Sequence, residues 1–217
     1  MHNYIRSFLP IICIAIATSN LNAGLVILNF ESSGAVGSAF DNTIVGTSVT
    51  TTVAGDDGTG GSVSFPGFSI TALGASNDSA AFLNATGDGF GINSDFSGED
   101  PDGIDSLVNE SVTFTFNQDV TITDVNFFGV DDSAGSTDSI SFAGQTIDGS
   151  ALGSGDTFSF SGGGLFFAAG QTIFLEELSG DGFGLETFTI EFSPVPEPTS
   201  ALMFGSALLF MVRRKRH

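Results

Sequence analysis

Hydrophobic and polar positions alternate in short runs, and the runs are separated by stretches rich in Gly, Asp and Ser. A period of two is the signature of strands whose side chains point to opposite faces. Leu25 to Glu31 predicts a first strand, apolar enough to be largely buried, and Thr43 to Val53 a second, rich in Thr and Val. Gly55 to Gly61 reads as a turn, and Ser62 to Leu73 returns with a break at Pro66-Gly67 that marks an edge or a bulge. Ala80 to Leu83 is a short strand. Glu110 to Phe116 alternates most strictly, with Val112, Phe114 and Phe116 on one face and Ser111, Thr113 and Thr115 on the other. Val120 and Ile122 share a phase that Val125 and Phe127 reverse, so a β-bulge is expected near Thr123-Asp124. Ile140 with Phe142, Phe158 with Phe160, Gln171 to Leu178 and Phe183 to Phe192 complete the strand pattern. No stretch of the body carries a 3.6-residue period built from good helix formers. Many short strands with frequent turn signals predict an all-β sandwich. Gly-Asp-Gly-Phe-Gly occurs twice, at Gly87–Gly91 and Gly180–Gly184, and reads as two similar turns leading into strands.

Composition sharpens this picture. All five Lys and Arg residues and both His residues lie near the ends of the 217-residue chain. Only Glu197 of the 25 acidic residues lies outside residues 24–193, so this body carries 24 carboxylates and no Lys, Arg or His. It also lacks Cys, Tyr and Trp, while 20 of the 23 Phe residues fall within it. Without imidazole, thiol or amine, nucleophilic triads and His-based zinc sites cannot be assembled there. Nucleic-acid binding lacks its basic footprint. What remains is carboxylate chemistry, as in glycoside hydrolysis, and hard cations such as calcium. A core of Phe has few polar groups to satisfy, and a body of this size can bury a full core without staples.

The two ends carry different signals. Residues 1–23 read as a secretory signal: Arg6 is followed by an apolar run from Phe8 to Ala17, with cleavage expected between Ala23 and Gly24 and Ala17-Thr18-Ser19 as the alternative site. The lone Cys13 sits inside that run and is lost with it, so the mature protein is exported without disulfides. At the other end, residues 194–217 contain Val195-Pro196-Glu197-Pro198, then an apolar helix over 199–212, then Arg213-Arg214-Lys215-Arg216 and His217. Alternating prolines keep the first part extended and accessible. Ala201 to Val212 is 12 residues, about 18 Å as helix, against a hydrocarbon core of roughly 30 Å. Counting from Pro198 and letting the arginines snorkel makes the span a marginal one, suited to a segment that is held and then cut. The basic cluster would stay on the cytoplasmic side.

The order of these tail features resembles the sorting tail of the PEP-CTERM exported proteins of Gram-negative bacteria. Val195, Pro196, Glu197 and Pro198 match the Val-Pro-Glu-Pro form of that family's motif. The resemblance implies recognition by an exosortase, a membrane-embedded processing enzyme, after export by the secretion machinery. It implies an inner-membrane-tethered intermediate, then release to the cell surface or an exopolysaccharide-rich biofilm matrix. The body is similar, more loosely, to the jelly-roll bodies common in the family. Gly91 to Asn93, Ile104-Asp105, Glu110 and Gly180 to Phe183 carry that likeness. The expected architecture is therefore a jelly-roll-like β-sandwich flanked by an N-terminal signal helix and a short C-terminal hydrophobic helix.

The densest polar stretch, Ser94 to Asn109, holds the candidate metal site. Asp100, Asp102 and Asp105, with Glu110 behind them and Glu99 nearby, offer oxygens at short spacing. Calcium is the cation that such a set would take, although the order is not that of an EF-hand and Pro101 interrupts it. A solvated acidic loop is the alternative. Asp131, Asp132 and Asp138 form a second, weaker set. The leading expectation is a non-enzymatic surface or matrix protein. Its rivals are a calcium-dependent carbohydrate-binding module and a carboxylate-based glycoside hydrolase. The first rival lacks the Trp or Tyr that usually stacks on sugars.

Overall fold

A computed structural model describes residues 24–94, 103–130, 132–133 and 136–192. The signal segment 1–23 with its cleavage point at Ala23, the sorting tail with its motif and basic stop, and Asp100, Asp102 and Asp131 all lie outside the described residues. The strands are β1 (Gly24–Asn29), β2 (Thr43–Ile44), β3 (Ser48–Asp56), β4 (Ser62–Ala75), β5 (Phe82–Ala85), β6 (Phe90–Asn93), β7 (Ser111–Phe116), β8 (Val120–Phe128), β9 (Asp132–Ser133), β10 (Ser136–Thr137), β11 (Ser139–Phe142), β12 (Gln145–Asp148), β13 (Thr157–Ser159), β14 (Leu165–Phe167), β15 (Thr172–Ser179) and β16 (Gly184–Phe192). One short helix, α1 (Ala35–Phe40), follows β1.

The pairing is antiparallel and the fold is an all-β, sandwich-like one. One layer runs β12-β11-β15-β7-β4-β3. The other is built around β16, which pairs with β1, β8 and β6. β13 and β14 extend it beyond β8, and β5 and β2 extend it beyond β6. A single pairing, Ile27 with Asp56, joins the layers through β1 and β3. Inward phenylalanines fill the space between them. Phe114 of β7 meets Phe188 of β16 edge-on with centroids 5.3 Å apart, and Phe142 of β11 meets the same ring at 5.7 Å. Phe30, just after β1, packs on Phe40, Phe90, Phe114 and Phe188. Offset and edge-on contacts of this kind are those that aromatic quadrupoles favour.

Several predicted features hold. β7 buries Val112, Phe114 and Phe116 and leaves Thr113 and Thr115 half-exposed. β8 carries the expected bulge: Thr189 pairs with Asp124 and Ile190 with Ile122, which leaves Thr123 extra. Val120, Ile122, Val125 and Phe127 are all buried as a result, despite their opposite phases. At Pro66-Gly67 the register of β3 and β4 shifts, with Thr52 opposite Ser69 and Ala54 opposite Ser64. That break is a bulge inside a continuous strand, and Gly67 takes a φ of +81° there.

Other expectations needed correction. The second strand divides into β2 and β3 around Gly46, whose positive φ only glycine adopts without strain. The first strand is less buried than its composition implies, since Leu25 is 40 % exposed. The helix α1 was unforeseen. Six residues are too few to display a period, and the helix is held by tertiary contacts. Phe40 is fully buried, while Gly37 lies where a Cβ would collide with the backbone carbonyls of Phe30 and Glu31. The two Gly-Asp-Gly-Phe-Gly segments are indeed turns before strands, and they pack on one another. Leu185 pairs with Phe90, and a Cβ on Gly184 would come 2.7 Å from the carbonyl of Asp88.

Candidate functional site

Among the described residues four carboxylates are buried: Asp105 (2 % exposed), Glu110 (1 %), Asp138 (0 %) and Glu177 (5 %). Elements from distant parts of the chain place them. Glu110 stands immediately before β7, and Asp138 immediately before β11. Asp105 follows Ile104, which is fixed by an isolated antiparallel bridge to Phe183. Glu177 lies on β15 in the same phase as the buried Ile173 and Leu175, so the alternation of the strand turns it inward. Register pairs Glu177 with Ile140 of β11.

Backbone amides meet these carboxylates. Ser106 N–H donates to Glu177 Oε2 at 2.7 Å, and Gly182 N–H donates to Oε1 at 3.0 Å. Asp105 N–H donates to Glu110 Oε2 at 3.1 Å, and Leu107 N–H to Asp105 Oδ1 at 2.5 Å. Glu177 therefore ties the 103–110 loop to the 180–182 turn. Gly180 (φ +145°) fits between the carboxylates: a Cβ there would lie well inside 3.0 Å of both Asp138 Oδ1 and Glu177 Oε1. Burying ionised carboxylates costs several kcal/mol each without compensation. No Lys, Arg or His exists between residues 24 and 193 to supply it, so backbone N–H dipoles, protons or an external cation must do so.

Of the first predicted metal set, the structure brings Asp105 and Glu110 together and leaves Asp100 and Asp102 undescribed. Of the second set, Asp138 is buried beside Glu177, while Asp131 and the side chain of Asp132 lie outside the described residues. Glu177 was missed, although its phase with Ile173 and Leu175 was a readable signal. Among the described residues no group of three or more His, Cys, Asp or Glu is arranged to hold a metal ion.

A second acidic group surrounds Glu186 on β16. Partial burial pushes its carboxyl above the usual range, and the nearby charges of Glu31 and Asp156 push it further. The side-chain amide of Asn126 donates to it and opposes the shift. Thr157 Oγ1 in turn donates to Asn126 Oδ1 at 2.6 Å.

The outer face of the β15-β7-β4-β3 layer carries rows of uncharged side chains. Thr50, Thr71, Thr115 and Thr172 stand opposite one another across four strands. Thr50 and Thr71 hydroxyls are 2.7 Å apart. The next row is Ser48, Leu73, Thr113 and Phe174, with Leu73 38 % and Phe174 37 % exposed. The only carboxylate on these rows and their immediate neighbours is Glu176, at one margin.

Among the described residues no helix is long and apolar enough to cross a membrane. No family model matches the chain, and neither does any curated protein or solved structure. The chain folds as an all-β, sandwich-like domain.

Proposed function

We propose that the chain is an exported, non-enzymatic surface or extracellular-matrix protein, with a jelly-roll-like body and a C-terminal sorting tail that an exosortase processes. One observation carries the reading: Val195-Pro196-Glu197-Pro198, an apolar segment and a basic stop follow each other in that order. Pro196 and Pro198 supply no amide donors, which disfavours a helix across the motif and suits a processing site. In this reading the apolar helix tethers the protein to the inner membrane until processing delivers it to the surface or the exopolysaccharide matrix. Intact mass of the protein from cells and from medium tests it. The expected mature form lacks residues 1–23 and the segment beyond the motif. A tail retained at full length in the mature protein means a simple anchor and overturns the reading.

A second reading, a calcium-dependent carbohydrate-binding module, is favoured by the burial of Asp105 and Glu110 side by side in a body without a side-chain cation. Calcium bound there would raise the melting temperature beyond the effect of magnesium at equal ionic strength, and a chelator would reverse the rise. Identical melts in calcium, magnesium and chelator exclude it.

A further inference from the structure

On the outer face of β3, β4, β7 and β15 the two central rows carry no charged side chain. The chain carries a formal net charge of -20, yet the two central rows of that face are hydroxyl-bearing and apolar side chains. We propose that this face is the docking surface for an uncharged polyhydroxylated polymer, a neutral polysaccharide.

Charge selects the occupant. An anionic polymer is repelled by the field of 24 carboxylates with no cation among them. A cationic one has acidic surface elsewhere and no reason to choose these rows. A neutral polymer meets no repulsion and needs donors and acceptors, and each Thr hydroxyl offers both. Exposed Phe174, next to Thr113, supplies an apolar plane for the C–H face of a sugar ring. A second copy of the chain is a poorer fit. At about 4.8 Å per strand and 6.8 Å per outward residue, four strands and two rows offer roughly 260 Å². A stable dimer needs about 800 Å² per partner, and two acidic bodies repel. Single contacts between a hydroxyl row and a sugar are weak, so binding would come from many protein copies or many repeats along one polymer. The inference deepens the matrix-protein reading by naming the partner class, and it is tested without reference to the tail, so either can fail alone.

The full chain is incubated with insoluble cellulose, chitin and curdlan, and with calcium-free alginate beads as the anionic counterpart, and the bound fraction is measured. At least one neutral polymer is expected to retain the protein, and alginate is not. Thr172→Glu places a charge in the threonine row, and Phe174→Ala removes the ring. Each should lower the apparent affinity roughly ten-fold or more, with circular dichroism and melting showing a folded protein. Phe166→Ala, on the exposed side of β14 in the other layer, should leave retention unchanged. Retention by no neutral polymer, equal retention on alginate, or binding that survives both face variants would each overturn the proposal. So would a dimer that Thr172→Glu dissolves, which would make the face an interface between copies.

Discussion

Gly180 is the residue on which the buried acidic group turns. Its φ of +145° and the nearness of Asp138 and Glu177 oxygens leave no space for a methyl group. Gly180→Ala is therefore expected to destabilise by more than about 2 kcal/mol, read as a lower urea midpoint with an unchanged slope. Glu177→Ala removes the acceptor of two N–H groups, those of Ser106 and Gly182. The loss expected from orphaned donors is about 2–4 kcal/mol, with faster amide exchange confined first to the 103–110 loop. If exchange there is unchanged, Glu177 does not hold that loop. Glu186 makes a pH prediction. Its native value is raised above that of an ordinary glutamate, so the native state binds its proton more tightly than the unfolded chain. The stability this group contributes is complete below the unfolded value and is lost as pH rises through the native one. Glu186→Gln should thus stabilise the protein at neutral pH, and the gain should vanish in acid. A gain that grows on acidification would contradict the cause assigned here.

At the scale of elements, Phe30 joins β1, α1, β6, β7 and β16 through four ring contacts. Phe30→Ala should cost about 3–5 kcal/mol, more than the same change at exposed Phe166, as equilibrium unfolding would show. The legibility of elements followed their sources of stability. β7 was readable because its alternation of Val112, Phe114 and Phe116 with Thr is set by one buried and one open face. The bulge of β8 was readable because an extra residue reverses the phase of everything after it. α1 was not readable: Ala35 to Phe40 has no cap side chain and owes its form to the burial of Val36 and Phe40. The site was half legible. Asp105, Glu110 and Asp138 stand out in the sequence as acidic residues beside loops, while Glu177 is hidden inside a strand pattern.

At the scale of the whole molecule, charge dominates. Twenty-four carboxylates without a side-chain cation in residues 24–193 repel one another, and added salt screens that repulsion. The melting temperature should rise with sodium chloride from low to moderate concentration. A fall would mean that attractive charge interactions, absent from the body's composition, hold the fold. This salt response also sets the baseline against which a calcium effect is judged.

The sequence by itself determined the all-β class, the phenylalanine core, the place of the β8 bulge and of the break at Pro66-Gly67, and the exclusion of imidazole, thiol and amine chemistry from the body. These follow from local periodicity and from residues that are simply missing. Which carboxylates converge, that the two Gly-Asp-Gly-Phe-Gly turns abut, and that Thr50, Thr71, Thr115 and Thr172 form one row were decided by the tertiary structure alone. The reason is register: residues more than a hundred positions apart become neighbours only when strands pair, and no local pattern records which strand lies beside which.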